Sequence, residues 1–244
     1  MWGLTKIVEK SKSIIKNHDT TDSIKSLYIG GSIKPEDRIQ NSDIDVIGIV
    51  DDGFPINREA EINIDLKESL PEMKCKLRVL YLSELHGGKP KSFISSLLPI
   101  RLFLRRIPSY PLIWGDPLNI DETIGPYTYD EEIYIQISII HRYIDDQNSK
   151  KPIPFEWIPK AVSYLSALES ALFNEEEYST SFSEIQNQLK NDKKHIIHDC
   201  IKIRKALYDI GEVEKEEFIS KVHEYLERLK LNVEKLNILY QLKQ

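Results

Sequence analysis

The sequence predicts an α+β fold in two parts: a first half that mixes short strands with helices, and a second half built of helices alone. Three observations carry this. Apolar runs of strand length, SLYI at 26–29, IDVIGIV at 44–50 and KLRVLYL at 76–82, fall in the first half. Beyond Tyr129 the apolar residues recur at helical steps of three and four. The stretch between Asp116 and Tyr129 is rich in turn formers, which divides the chain into residues 1–115 and 116–244.

Taken in order, residues 5–17 read as a helix and SLYI as a short strand. IDVIGIV follows, with the continuous apolar character of a strand buried on both faces. Residues 57–69 are helical, KLRVLYL is a third strand, and the apolar run from Phe93 to Leu104 predicts one buried helix. YPLIWGD at 110–116 is the last strand, ended by Gly115, Asp116 and Pro117. In the second part, Ile133, Ile137, Ile140 and Ile144 mark one helix face, and Ile158, Val162, Leu165, Leu168 and Leu172 a second. Phe218, Val222, Tyr225, Leu229, Val233, Leu236 and Tyr240 form the longest stripe. One more helix between Ser183 and Tyr208 completes an expected bundle, because amphipathic helices on short connections pack antiparallel.

The hydrophobic content of 41% supplies a real core in a chain of 244 residues. No run of about 18 apolar residues exists to span a bilayer, so no membrane partner is expected. The N-terminal MWGLTKIVEKSKSIIK is charged throughout, unlike a secretory signal, and the expected compartment is cytoplasmic. Cys75 and Cys200 have no Cys or His partner at metal-ligand spacing and read as buried thiols. A net charge of -6 argues against a surface that tracks a long nucleic acid. Lys89, Lys91, Arg101, Arg105 and Arg106 read as a solvated helix face, with a phosphate-facing patch as the alternative.

The segment with chemistry in it is Tyr28-Ile29-Gly30-Gly31-Ser32, followed after a spacer by Ser42-Asp43-Ile44-Asp45-Val46. A strand ending in two glycines lets the main chain approach a ligand with no Cβ in the way, and its amides can cradle phosphate oxygens. Ser32 adds a hydroxyl, and a helix beginning there would add its positive end. Asp43 and Asp45 stand two apart on a strand, so their side chains leave the same face. Two carboxylates on one face suit a hard cation such as Mg²⁺ and repel each other without one. Gly-Gly-Ser alone is usually a turn and Asp-x-Asp alone a solvated strand end; their combination across two strands is far more specific.

The pattern of apolar residue, Gly30-Gly31-Ser32, spacer and Asp43-Ile44-Asp45-Val46 resembles the signature of the DNA polymerase beta nucleotidyltransferase superfamily, which includes aminoglycoside nucleotidyltransferases, tRNA-terminal transferases and small toxin-antitoxin proteins. The resemblance implies a small mixed sheet backed by helices over about residues 1–115. It implies Gly30, Gly31, Ser32 and Ser42 on the nucleotide, with Asp43 and Asp45 as catalytic metal ligands for Mg²⁺. The expected reaction moves a nucleoside monophosphate from a nucleoside triphosphate, ATP foremost, to a small-molecule or protein hydroxyl. The helical half is similar in kind to the C-terminal bundles of the aminoglycoside-modifying members, without a diagnostic motif.

One feature departs from that family. Its active members place a third carboxylate on a later strand, where this chain reads Cys75-Lys76-Leu77-Arg78-Val79-Leu80, basic at both alternate positions. Glu72 or Glu84 could substitute, two aspartates could suffice for a slow enzyme, or the protein could bind nucleotide or a partner without turnover. Lys76 or Arg78 could also hold a phosphate in place of a metal. Elsewhere, His86-Gly87-Gly88-Lys89 lacks the Walker frame and reads as a turn. His195 and His198 share a helix face but have no third ligand at suitable spacing.

Overall fold

The structure is a computed structural model that describes residues 4–31, 37, 43–71, 74–97, 99–119, 128–147, 149, 152–206 and 209–241. The chain divides into two compact units, Met1–Tyr127 and Thr128–Gln244. In the first, α1 (Leu4–His18) leads to β1 (Ile24–Gly31) and β2 (Asp43–Val50), then α2 (Arg58–Ser69) and β3 (Lys74–Tyr81). Three short helices, α3 (Leu82–Leu85), α4 (Phe93–Leu97) and α5 (Ile100–Leu104), precede β4 (Leu112–Gly115). The fold class is mixed α+β: the four strands stand in the order β3-β2-β1-β4, with β2 and β3 parallel and the other neighbours antiparallel.

Both faces of this sheet are covered, which is why IDVIGIV is apolar without a break. On one face Leu27, Ile29, Ile44, Val46, Leu77 and Val79 pack with Ile7 and Ile15 of α1 and Ile62 and Leu66 of α2. On the other, Tyr28, Ile47, Ile49 and Leu80 pack with Leu85, Ile94, Phe103, Leu104 and Ile107. Among the described residues the second cover stops short of the start of β2, where Asp43 and Asp45 occupy that face and remain half-buried.

The apolar run from Phe93 to Leu104 forms two helices instead of the single one expected. Pro99 stands at the N-cap of α5, and its ring excludes the backbone N–H that would carry a helix through. Strand β3 lies at the edge of the sheet, and the outward amides of Leu77, Val79 and Tyr81 are closed by side chains. The Asn63 carboxamide accepts from Leu77 N at 2.7 Å and donates to Leu77 O at 3.1 Å. Glu59 Oε2 accepts from Val79 N at 3.2 Å, and Glu84 Oε2 from Tyr81 N at 3.0 Å.

The second unit holds α6 (Tyr129–Asp146), α7 (Trp157–Phe173), α8 (Phe182–Gln188), α9 (Ile196–Lys205) and α10 (Glu212–Gln241). Helix α7 is central, packing on α6, α8 and α9. Most of the stripe residues face inward: Ile133 and Ile140 of α6, Ile158, Val162 and Leu165 of α7, and Phe218, Val222, Leu229 and Val233 of α10 are buried, while Leu172 and Leu236 are partly exposed. The single helix expected between Ser183 and Tyr208 is two, because His195 caps the second, its Nδ1 accepting from Ile197 N at 3.1 Å. Tyr208 lies outside the described residues. No helix among the described residues is long and apolar enough to cross a membrane.

Candidate active site

Strand register assembles the site. Gly30 stands opposite Asp45 across the antiparallel pair β1–β2, and Gly31 opposite Ile44. Residues opposite one another in a ladder point to the same face, so the glycine end of β1 and both aspartates border one patch of the sheet. Asp43 and Asp45 lie about 7 Å apart along the strand, close enough for one cation to be shared between them through ligand oxygens. Ser32 and Ser42, expected on the nucleotide, lie outside the described residues.

The missing Cβ of Gly30 has an additional reason. A Cβ built there would stand 3.2 Å from Cε2 and Cζ of the Tyr110 ring, so the aromatic edge occupies the space a side chain would need. Tyr110 is positioned by its own amide, which donates to Ile107 O at 2.9 Å, and by Pro111 O, which accepts from Ile29 N at 3.0 Å. This aromatic wall beside Asp45 was not legible in the sequence, because nothing in Ser109-Tyr110-Pro111 says which strand it will lie against.

The third strand carries cations at the same level. Lys74 is in register with Asp43, Lys76 with Asp45 and Arg78 with Ile47. Arg78 turns away from the aspartates: its guanidinium pairs with Glu59 at 3.2 Å and lies 4.5 Å from the Phe93 ring centroid. Lys74 and Lys76 are exposed. Neither has an ion pair or hydrogen bond among the described residues.

Glu84 is not a substitute for the third carboxylate. It follows the far end of β3, where Tyr81 pairs with Val50, roughly 23 Å along the strands from Asp43. It is 2% exposed and fully engaged. Oε1 accepts from Ser92 N at 2.7 Å, from Ser95 Oγ at 2.5 Å and from Lys91 N, while Oε2 accepts from Tyr81 N. Burial pushes its carboxyl up, but the donors from Ser95, Lys91, Ser92 and Tyr81 outweigh this and hold it below the ordinary carboxylate range. Glu72, the other alternative, lies outside the described residues.

The remaining sequence candidates resolve as structure. His86–Lys89 forms the turn that ends α3, with Gly88 N donating to Ser83 O at 2.8 Å and Gly87 at a φ of +83°. The basic run is not one solvated face, since Arg106 is buried and Lys91 pairs with Asp52. His195 and His198 do not converge on a metal: His195 Nε2 donates to Glu169 Oε2 at 2.9 Å, and His198 contacts Gln186 and the Asp192 carbonyl. Glu169 Oε2 also accepts from Tyr225 Oη at 2.7 Å, closing a buried polar network inside the helical unit. Cys75 and Cys200 are buried thiols, and burial raises both above the ordinary thiol range.

Asp43 and Asp45 fit a divalent cation by their chemistry: two oxygen donors on one half-exposed face, beside the glycine end of β1. Among the described residues no group of three or more His, Cys, Asp or Glu side chains stands together as a metal cage.

No protein-family model matches the chain, and no curated protein matches its sequence. Among solved structures it is similar to spectinomycin adenyltransferase AAD(9) from Enterococcus faecialis, whose structure contains ATP and spectinomycin. The TM-score is 0.60 at 10% sequence identity, covering 95% of this chain and 100% of that one. The likeness is one of fold, which in this chain is a mixed sheet unit followed by a helical region.

Proposed function

We propose that this protein is a nucleotidyltransferase that moves a nucleoside monophosphate from a Mg²⁺-bound nucleoside triphosphate, ATP foremost, to a hydroxyl of a small molecule. The observation that carries the reading is the register of Gly30 against Asp45, by which the glycine end of β1 stands next to two same-face carboxylates. The similar fold of an adenyltransferase whose structure contains ATP and a small-molecule acceptor supports it. A protein hydroxyl is the alternative acceptor. The cytoplasm, where nucleoside triphosphates and Mg²⁺ are plentiful, is the matching compartment.

In this reading Asp43 and Asp45 hold the metal, and Gly30, Gly31, Ser32 and Ser42 bind the nucleotide. When bound, Mg²⁺ supplies charge neutralisation for the phosphates. The chain's residues fix the triphosphate so that an acceptor oxygen meets the α-phosphorus in line, a P–O bond forms, and the bond to the β-phosphate breaks to release pyrophosphate.

A second reading is a nucleotide-binding protein without turnover, favoured by the lysines that face the aspartates where a third carboxylate is expected. One experiment separates the two. Purified protein is incubated with each of the four nucleoside triphosphates, Mg²⁺ and a panel of small hydroxyl acceptors, and pyrophosphate release and acceptor mass are measured. Release with a mass gain of one nucleoside monophosphate supports the enzyme. Tight binding with neither product supports the binding protein, and no binding of any nucleotide overturns both.

A further inference from the structure

The second face of the sheet carries three aligned rows at the level of the aspartates: the end of β1, the carboxylates of β2 and the cations of β3. Because β2 and β3 are parallel and in register, the Lys74 and Lys76 side chains leave the sheet on the same side as Asp43 and Asp45. Adjacent strands lie about 4.8 Å apart, so each ammonium group has the ligand above the aspartates within its sweep. Arg78 is not part of this set, since Glu59 and Phe93 hold its guanidinium. Lys74 and Lys76 have no such commitment among the described residues. Two exposed lysines, without an ion pair among the described residues, stand level with two carboxylates, so a divalent cation held by those carboxylates would leave this face with excess positive charge for an anionic ligand.

We infer that Lys76, with Lys74 beside it, binds the phosphate chain of the nucleotide and supplies the positive charge that a second metal ion with its own carboxylate would otherwise bring. The inference rests on the proposed nucleotide site and specifies how that site is charged. A second divalent ion bound by a third carboxylate adds a net charge of one; a lysine adds the same charge with no metal. A fixed ammonium at that position also repels a second cation, and the repulsion grows as ligand excludes water. Lysine suits the task because its charge is compact and its stem flexible, so it can follow a phosphate chain without the planar geometry an arginine demands. The site therefore holds its nucleotide with one metal ion.

The test uses the full chain, ATP as the probe and Mn²⁺ as a countable metal. Calorimetry measures ATP affinity, and Mn²⁺ bound per protein–ATP complex is counted by equilibrium dialysis with electron paramagnetic resonance detection of free ion. The expected result is one Mn²⁺ per complex. Lys74→Gln with Lys76→Gln should weaken ATP about tenfold, equivalent to about 1.4 kcal/mol. The effect should persist at zero metal, and the dependence of ATP affinity on salt should become shallower. Lys76→Asp should raise the count toward two. Two Mn²⁺ in the parent complex, or unchanged ATP affinity in the double variant, overturns the inference. If the lysine variant binds like the parent while Asp43→Asn with Asp45→Asn loses metal-dependent binding, the lysine role fails and the nucleotide site stands. If the parent binds no ATP under any condition, both fail.

Discussion

Replacing Glu84 with glutamine separates a structural carboxylate from a catalytic one. Four donors converge on Glu84, three on Oε1 and one on Oε2. Glutamine keeps the shape but offers only one acceptor oxygen. The less costly orientation places that oxygen where Oε1 was, keeping the contacts to Lys91, Ser92 and Ser95. The amide nitrogen then faces Tyr81 N, so one charge-assisted bond is lost and two buried donor groups, the Tyr81 amide and the new carboxamide nitrogen, are left opposing each other. That predicts a loss of about 2 kcal/mol, which corresponds to a fall of about 1 M in the urea midpoint of the first unit. The sign of the pH dependence follows from the depressed carboxyl of the folded state. Its contribution is fully present above the ordinary glutamate value and is lost as pH falls through the folded value. The gap between parent and variant should therefore be constant from neutral pH down to about 5 and close in stronger acid. Denaturation at several pH values, followed by tryptophan fluorescence, reads this directly. Mg²⁺-dependent ATP binding should be unchanged. A variant as stable as the parent that has lost metal-dependent ATP binding would refute the reasoning and restore Glu84 as the third carboxylate.

The double substitution Asp43→Asn with Asp45→Asn should remove Mg²⁺-dependent ATP binding and leave the circular dichroism spectrum intact; ATP binding by calorimetry equal to the parent's would falsify the metal assignment. Gly30→Val should cost about 1–3 kcal/mol through collision with the Tyr110 ring. In a Tyr110→Ala background that stability loss should shrink, a double-mutant cycle that isolates the packing contact. Glu169→Gln should lower the stability of the helical unit by about 2 kcal/mol, because Glu169 accepts from both His195 and Tyr225. Its ATP affinity should not change, and a loss of binding without a loss of stability would count against a purely structural role.

The strands and the long helices were legible in the sequence because each has one dominant signal. IDVIGIV reads as a doubly covered strand because it is one, and the α6, α7 and α10 stripes follow the helical period through their buried residues. The misreadings fall where a local signal competes with periodicity. Pro99 divides an apolar run into two helices, and His195 acts as a cap where spacing alone offered it as half of a histidine pair. At the site, the same-face placement of Asp43 and Asp45 follows from strand alternation, but register does not. Only pairing shows that Gly30 meets Asp45 and that Lys76, not Arg78, stands level with it. Tyr110 comes to Gly30 from far along the chain, a contact that no local pattern encodes.

The sealed margin of β3 bears on how copies of this protein can associate. The outward amides of Leu77, Val79 and Tyr81 are each taken by a side-chain oxygen, so the strand offers a second polypeptide no row of vacant donors there. Edge-to-edge growth, the common route by which exposed sheets multimerise or seed fibrils, is blocked at this border by asparagine and glutamate instead of by a further strand. Because Asn63 and Glu59 both come from α2, loosening that helix would strip two of the three oxygens together. The helix that supports the core beneath β3 is thus also the guard of its solubility, and Asn63→Leu should raise light scattering on mild heating before the fold itself is lost.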